Sequence, residues 1–290
     1  MDLYFYETHL HTCEASACGV TPGREYVRAY KEAGYAGFFV TDHFFNGNSG
    51  VPRDLPWDER IDLYCRGYEN ALEEADKVGG IDVFFGLEVN FRGDEYLIYG
   101  PDKDWLKAHP DIMRWSHDEL RSELHKIGGL MIQAHPFRDR GYLSAIYVHP
   151  LQADGFEGYN AGNVSYSDTY AFDFAVNNRI LMSSGSDIHN VKGLGERPGG
   201  ICFTSRLQGP LDYAKRFRNA TESVPLIKDR EKIYNENINK LNDGNLGFIT
   251  YSDRMTPDPY NSPFSKAIFV ADGDDKDVPY TPYDVLEVRI

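Results

Sequence analysis

Apolar runs of strand length alternate with helical patterns up to about residue 220, and this alternation restricts the fold more than any other feature. AGFFVTDHF (36–44), IDVFFGLEV (81–89), LMIQAHP (130–136), ADGFEGYN (153–160), RILMSSGSDIH (179–189) and GICFTS (200–205) are expected strands. EYLIYG (95–100) follows the second so quickly that it is expected to pair with it. YVRAYKEAGY (26–35), DERIDLYCRGYENALEEADKVGG (58–80) and SHDELRSELHKIGG (116–129) are expected helices, the last opened by a Ser116/Glu119 capping box. Strands that are apolar throughout are buried on both faces. The expected class is therefore α/β, with a parallel sheet that is open or closed into a barrel. At 290 residues with 41% hydrophobic content, the chain is large enough for one barrel domain. Past residue 220 the chain turns polar and rich in turn formers. The expected organisation is a barrel over 1–219 and a C-terminal extension over 220–290 that packs on it with little sheet of its own.

What terminates each strand carries the chemistry. The first, in YFYETHLHTCEAS (4–16), ends in His9 and His11, which project from one face because alternate strand residues do. The others end in Thr41-Asp42-His43, Gly86-Leu87-Glu88, His135-Pro136 and Ser186-Asp187-Ile188-His189. In a parallel barrel the C-terminal strand ends meet at one rim. Charged groups gathered there are costly unless paired or bound to metal. Imidazoles and carboxylates without a thiolate set suit zinc, manganese or ferrous iron. The ligands exceed what one tetrahedral ion needs, so a cluster of two or three divalent ions sharing a hydroxide is expected. Such a cluster activates water near neutral pH and clamps a phosphoester.

A net charge of −15 disfavours nucleic acid and anionic membrane as partners. Cys13, Cys18, Cys65 and Cys202 show neither zinc-ribbon spacing nor a disulfide pattern, which suits a reducing compartment. The opening MDLYFYETHL lacks the features of a secretory signal, and no segment approaches a membrane span, so a cytoplasmic location is expected.

HLHT (9–12), TDH (41–43), GLE (86–88), AHP (134–136) and SDIH (186–189) resemble, in matching order, the motifs of the PHP superfamily of polymerase and histidinol phosphatase domains. The resemblance covers roughly residues 1–218. It implies a distorted (β/α)7 barrel, TIM-like, with up to three metals at the C-terminal rim, used mostly for phosphoester hydrolysis. Carried over by position, it implies His9 and His11 on one ion, Glu88 bridging to a second, His43 and His135 on the others, and Asp187 and His189 completing the set. Asp42 is expected to orient a histidine or a backbone amide. Two departures stand out. The loop TCEASACG after the first motif offers Glu14 as its only strong ligand, beside Ala17 and Cys18, and Glu14 is assigned to the metal set. The strand after the bridging glutamate ends in Tyr99-Gly100, where many members have a histidine.

On the substrate side a phosphoryl group calls for a guanidinium fork, and Arg138 is the first candidate, with Arg197 in GLGERPGG second. Glu157 and Asn160, on the same rim, are candidates to hold substrate or orient ligands. His109, His117, His125 and His149 are taken as ordinary. The leading reading is a phosphoesterase acting on a small phosphorylated molecule through a metal-bridged hydroxide. In it Arg138 offsets the growing charge, and His189 or Asp187 assists the leaving group. Two other readings share these residues: hydrolysis of a carbon–nitrogen or carboxylic ester bond, as in amidohydrolases, and a non-catalytic module stabilised by its metals.

Overall fold

The structure, a computed structural model, describes residues 3–91, 93–143, 145–163, 165–195, 198–219, 223–225 and 267–270. Strands β1 (Tyr4–Glu7), β2 (Gly37–Val40), β3 (Asp82–Phe91), β4 (Asp94–Tyr99) and β5 (Leu130–Ala134) pair in that order. Strand β6 (Ala145–Val148) lies apart from this sheet, which continues through β7 (Gly155–Asn160) and β8 (Met182–Gly185). Strands β9 (Ile201–Phe203) and β10 (Ser223–Pro225) extend the sheet beyond β1, and β11 (Ala267–Val270) pairs with β6. Residues beyond 220 thus add strands to both sheets. The strands β1, β2, β3, β5, β7 and β8 all run in one direction. The sheet curls into a nearly closed barrel. Beyond β8 and β1, Leu10 and Ile188 form a parallel bridge, with the His11 amide donating to the Ile188 carbonyl at 2.9 Å.

Two strands depart from the all-parallel expectation. Only two residues join β3 to β4, enough for a hairpin but far too few for the crossover that a parallel neighbour needs, so β4 runs antiparallel to both β3 and β5. Strand β9 likewise runs antiparallel to β1.

Helices α1 (Gly23–Glu32), α2 (Trp57–Tyr64), α3 (Arg66–Val78), α4 (Lys103–Ala108), α5 (His117–Lys126), α6 (Ser165–Asn178) and α7 (Pro210–Arg218) surround the sheet. The stretch expected as one helix over 58–80 is two, meeting at Cys65. The capping box at Ser116 is present in full. Helix α3 approaches the loop after β1 closely because Gly67 has no side chain: a Cβ there would lie 2.1 Å from Thr12 Oγ1. Beneath the rim, Tyr213 of α7 packs against Phe39 and Tyr99 with ring centroids at 5.0 and 4.8 Å, filling the barrel with aromatic rings. Among the described residues, no helix is long and apolar enough to cross a membrane.

Candidate metal centre

The expected strand-end residues converge. Glu88, fully buried on β3, brings Oε1 to 3.0 Å from His135 Nε2 and 3.3 Å from His9 Nε2. Its Oε2 lies 2.6 Å from His43 Nδ1 and 3.6 Å from His11 Nε2. Opposite it, Asp187 Oδ1 sits 3.1 Å from His11 Nε2 and 3.4 Å from His9 Nε2. The ring of His11 stacks with that of His189 at 4.3 Å and with that of His43 at 4.2 Å. His9, His11, His43, His135, His189, Glu88 and Asp187 therefore share one site.

Three of the imidazoles are oriented from behind. His9 Nδ1 meets Glu157 Oε1 at 3.0 Å. His11 Nδ1 meets Ser16 Oγ at 3.1 Å, and that hydroxyl donates to Asp42 Oδ1 at 2.6 Å. If Nδ1 carries the proton in both rings, as these acceptors favour, Nε2 presents a lone pair to the cluster. His189 Nδ1 faces the Asp187 carbonyl at 2.8 Å, with the same consequence. Asp42 also accepts from Thr12 N and Thr12 Oγ1 at 2.6 and 2.7 Å. It acts behind the ligands, as the sequence suggested.

The backbone is strained where the ligands sit. Asp187 has φ +55° and His135 φ +29°, in the left-handed region that costs a non-glycine residue of order 1 kcal/mol or more. On β7 a register shift between Glu157 and Tyr159 brings residues three apart to one side, so Asn160 Nδ2 donates to Glu157 Oε2 at 2.8 Å.

Arg138 lies beside the cluster, donating to Asp187 Oδ2 at 2.7 Å, Asn160 Oδ1 at 2.9 Å and Asn163 Oδ1 at 2.6 Å. Asn160 is fully buried, its amide shared between Arg138, Glu157 and the Gly162 amide. It positions Arg138 rather than presenting a free group, which corrects its assignment to substrate. Glu14 is also misassigned. Its carboxylate accepts from the Gly23 amide at 3.1 Å and from Asn70 Nδ2 at 3.0 Å, serving the first turn of α1, where a negative charge is favoured. Arg197 lies outside the described residues.

Two participants, Glu95 and Arg140, are not evident from the sequence. Glu95 lies at the start of β4, and because β4 runs backwards its first residues, not its last, reach the rim. Its Oε2 lies 3.5 Å from His135 Nε2, and it pairs with Arg140. Tyr99, at the other end of β4, points down into the core and donates to the Thr8 carbonyl at 2.8 Å. Arg140 Nη2 reaches His135 Nδ1 at 3.2 Å. Cys18 adjoins His43 and His189; burial alone would raise its pKa, but the two imidazoles draw the thiol down to about 6.

Glu88, Asp187, Glu157 and Glu95 are buried carboxyl groups gathered around two guanidinium groups, Arg138 and Arg140. For Asp187, burial would raise the pKa, yet His9 and Arg138 hold it well below the usual carboxylate range. For Glu95, burial and the neighbouring Glu88 push the pKa up. His43 Nδ1 and Glu88 Oε2 lie 2.6 Å apart, both buried and without a well-formed hydrogen bond among the described residues. Convergent lone pairs, excess carboxylate and unsatisfied buried donors and acceptors are what divalent cations resolve. The donor set fits such ions.

No protein-family model matches this sequence, and no curated protein matches it. Solved structures do. A two-domain protein from Bacteroides vulgatus ATCC 8482, containing a predicted PHP-like metal-dependent phosphoesterase, is similar at a TM-score of 0.54 and 16% identity, over 81% of this chain and 70% of that one. PsfC from Pseudomonas syringae PB-5123 is similar at 0.49 and 15% identity, over 83% and 99% of the two chains. An amidohydrolase from Chromobacterium violaceum, with sulfate bound and no metal, is similar at 0.43 and 15%, over 78% and 99%. The chain shares its fold with the Bacteroides vulgatus protein that contains a predicted PHP-like metal-dependent phosphoesterase.

Proposed function

We propose that this chain is a metal-dependent phosphoesterase acting on a small phosphorylated molecule. The observation that supports it best is Arg138 bound to Asp187 at 2.7 Å, which sets a fixed cation at the edge of a site built for divalent ions. His9, His11, His43, His135, His189, Glu88 and Asp187 would hold two or three ions of the zinc, manganese or iron type. Such ions, when bound, lower the pKa of coordinated water and neutralise phosphoryl charge.

The protein's own groups do the rest. Arg138 uses three of its five N–H donors on Asp187, Asn160 and Asn163, leaving two to bind non-bridging phosphoryl oxygens. Asn160 and Asn163 fix the plane of that fork. Asp187 stays ionised, so it serves as a ligand and not as an acid toward the leaving oxygen. His189, 29% exposed, is the ligand nearest solvent and lies where a substrate would enter. Beside His135 and Arg138 lies a small cavity of about 20 Å³, lined also by Phe137, Leu143 and Tyr147, with room for little more than a water molecule.

The test is a comparison of p-nitrophenyl phosphate with p-nitrophenyl acetate and an anilide, using manganese- or zinc-loaded protein. Metal-dependent release from the phosphate alone is expected. Turnover of the carboxylic ester or anilide without the phosphate would overturn the reading in favour of an amidohydrolase activity.

A further inference from the structure

On the other face of β4 from Glu95, a second set of metal-ligating side chains comes together. Asp94 opens β4, His117 opens α5 and His149 follows β6, so three segments distant in sequence meet. All three residues are buried, at 6%, 1% and 0% exposure. Asp94 Oδ2 lies 2.9 Å from His117 Nε2 and 3.4 Å from His149 Nε2. The two imidazoles stack at 4.4 Å with 27° between their planes, so both present Nε2 to the same carboxylate. One nitrogen from each ring and one carboxylate oxygen all lie within 4.8 Å of one another.

Hydrogen bonding alone leaves this set unbalanced. Asp94 Oδ2 faces both imidazoles and also accepts from Tyr96 Oη at 2.8 Å, while its other oxygen, Oδ1, is buried with no hydrogen-bond partner among the described residues. A buried acceptor left without a partner is costly, so something is expected to satisfy it. A divalent cation between the rings and the carboxylate would engage both oxygens and turn each Nε2 into a lone-pair donor.

We infer that Asp94, His117 and His149 form a second, structural cation site, separate from the rim cluster and suited to zinc. Two imidazoles and a carboxylate are ligands zinc accepts, leaving the fourth position to a water. The site's work is to staple. Strand β6 stands outside the barrel sheet, and Gln133 of β5 ties it down by donating to the Tyr147 carbonyl and accepting from the His149 amide, each at 2.9 Å. An ion on His149 would lock the same segment to β4 and α5.

The experiment uses the full chain carrying Glu88→Gln and Asp187→Asn to disable the rim cluster. The protein is equilibrated with zinc chloride, dialysed and assayed for metal by mass spectrometry. One zinc per chain is expected to remain, and to be lost when His149→Gln is added. Retention of no zinc in the rim-disabled chain, or an unchanged zinc count after His149→Gln, would overturn the inference. Should His149→Gln fail to fold, anomalous diffraction at the zinc edge from the rim-disabled chain decides. A peak among Asp94 and the two Nε2 atoms supports the site, and no peak there overturns it.

Discussion

Asp187 is divided between two partners: Oδ2 accepts from Arg138 Nη1 at 2.7 Å, and Oδ1 lies 3.1 Å from His11 Nε2. One carboxylate thus couples the guanidinium to the imidazole cluster. Phosphoryl oxygens reaching Arg138 are then held at a fixed offset from any ion that Asp187 binds.

Arg138→Lys keeps the charge but loses the fork that spans Asp187, Asn160 and Asn163. Turnover of p-nitrophenyl phosphate is expected to fall on the order of 10²-fold, comparable to removing one preorganised donor to a developing anion. The metal content should stay at the parent value. Steady-state rates alongside metal analysis check this; parent-like turnover would remove Arg138 from the reaction.

Ser16 links His11 to Asp42 through a single hydroxyl, which also accepts from the His43 amide at 3.0 Å. Ser16→Ala leaves His11 Nδ1 and Asp42 without their shared partner. Losing an orienting group of this kind weakens metal binding by about 10–100-fold. Competition with a chromophoric chelator measures it, and an unchanged affinity would show that the ring needs no such anchor.

Gly185 is where β8 passes His9: a Cβ there would lie 2.5 Å from His9 Cβ and 2.6 Å from Glu157 Oε1. Gly185→Ala is expected to cost roughly 1–3 kcal/mol, the usual penalty for overpacking, and to reduce metal affinity by displacing His9. Chemical denaturation and the same chelator assay test both arms.

The convergence of the rim residues is legible in the sequence because six of the strands share one direction, so their chain-order endings mark one rim. Glu95 is not, because β4 is reversed and presents its beginning there; its end offers only Tyr99, which packs in the core. Glu14 misleads for a related reason. A carboxylate in a loop after two histidines has no face to fix it, and the Gly23 amide of α1 claims it. His117 and His149 read as a helix residue and a loop residue, since only tertiary packing brings them to Asp94. The joining of α2 and α3 at Cys65 leaves no mark in the helical pattern that runs through both.

Asp168 accepts from the Asn160 amide at 3.0 Å and from Asn163 Nδ2 at 2.8 Å, beneath the Arg138 fork. Burial raises its pKa to about 7. A raised carboxylate pKa contributes stability that is full below the unfolded value of 3.8 and is lost as pH climbs through about 7. Asp168→Asn removes that dependence. Its stability relative to the parent is expected to rise between about pH 4 and about pH 8, each tenfold difference in proton affinity between the folded and unfolded carboxyl being worth about 1.4 kcal/mol. Urea melts across this range check it; parallel curves for the two proteins would show that Asp168 does not titrate there.

Glu88, touching His9, His43 and His135, is expected to join divalent ions into a hydrolytic site. The most direct test of this is the number of metal ions per chain in protein purified without chelator, for the parent and for Glu88→Gln, read together with metal-dependent hydrolysis of p-nitrophenyl phosphate. The parent is expected to hold rim ions and turn over, and Glu88→Gln to lose at least one of those ions and nearly all turnover. A Glu88→Gln protein with the parent's metal count and rate would contradict the claim.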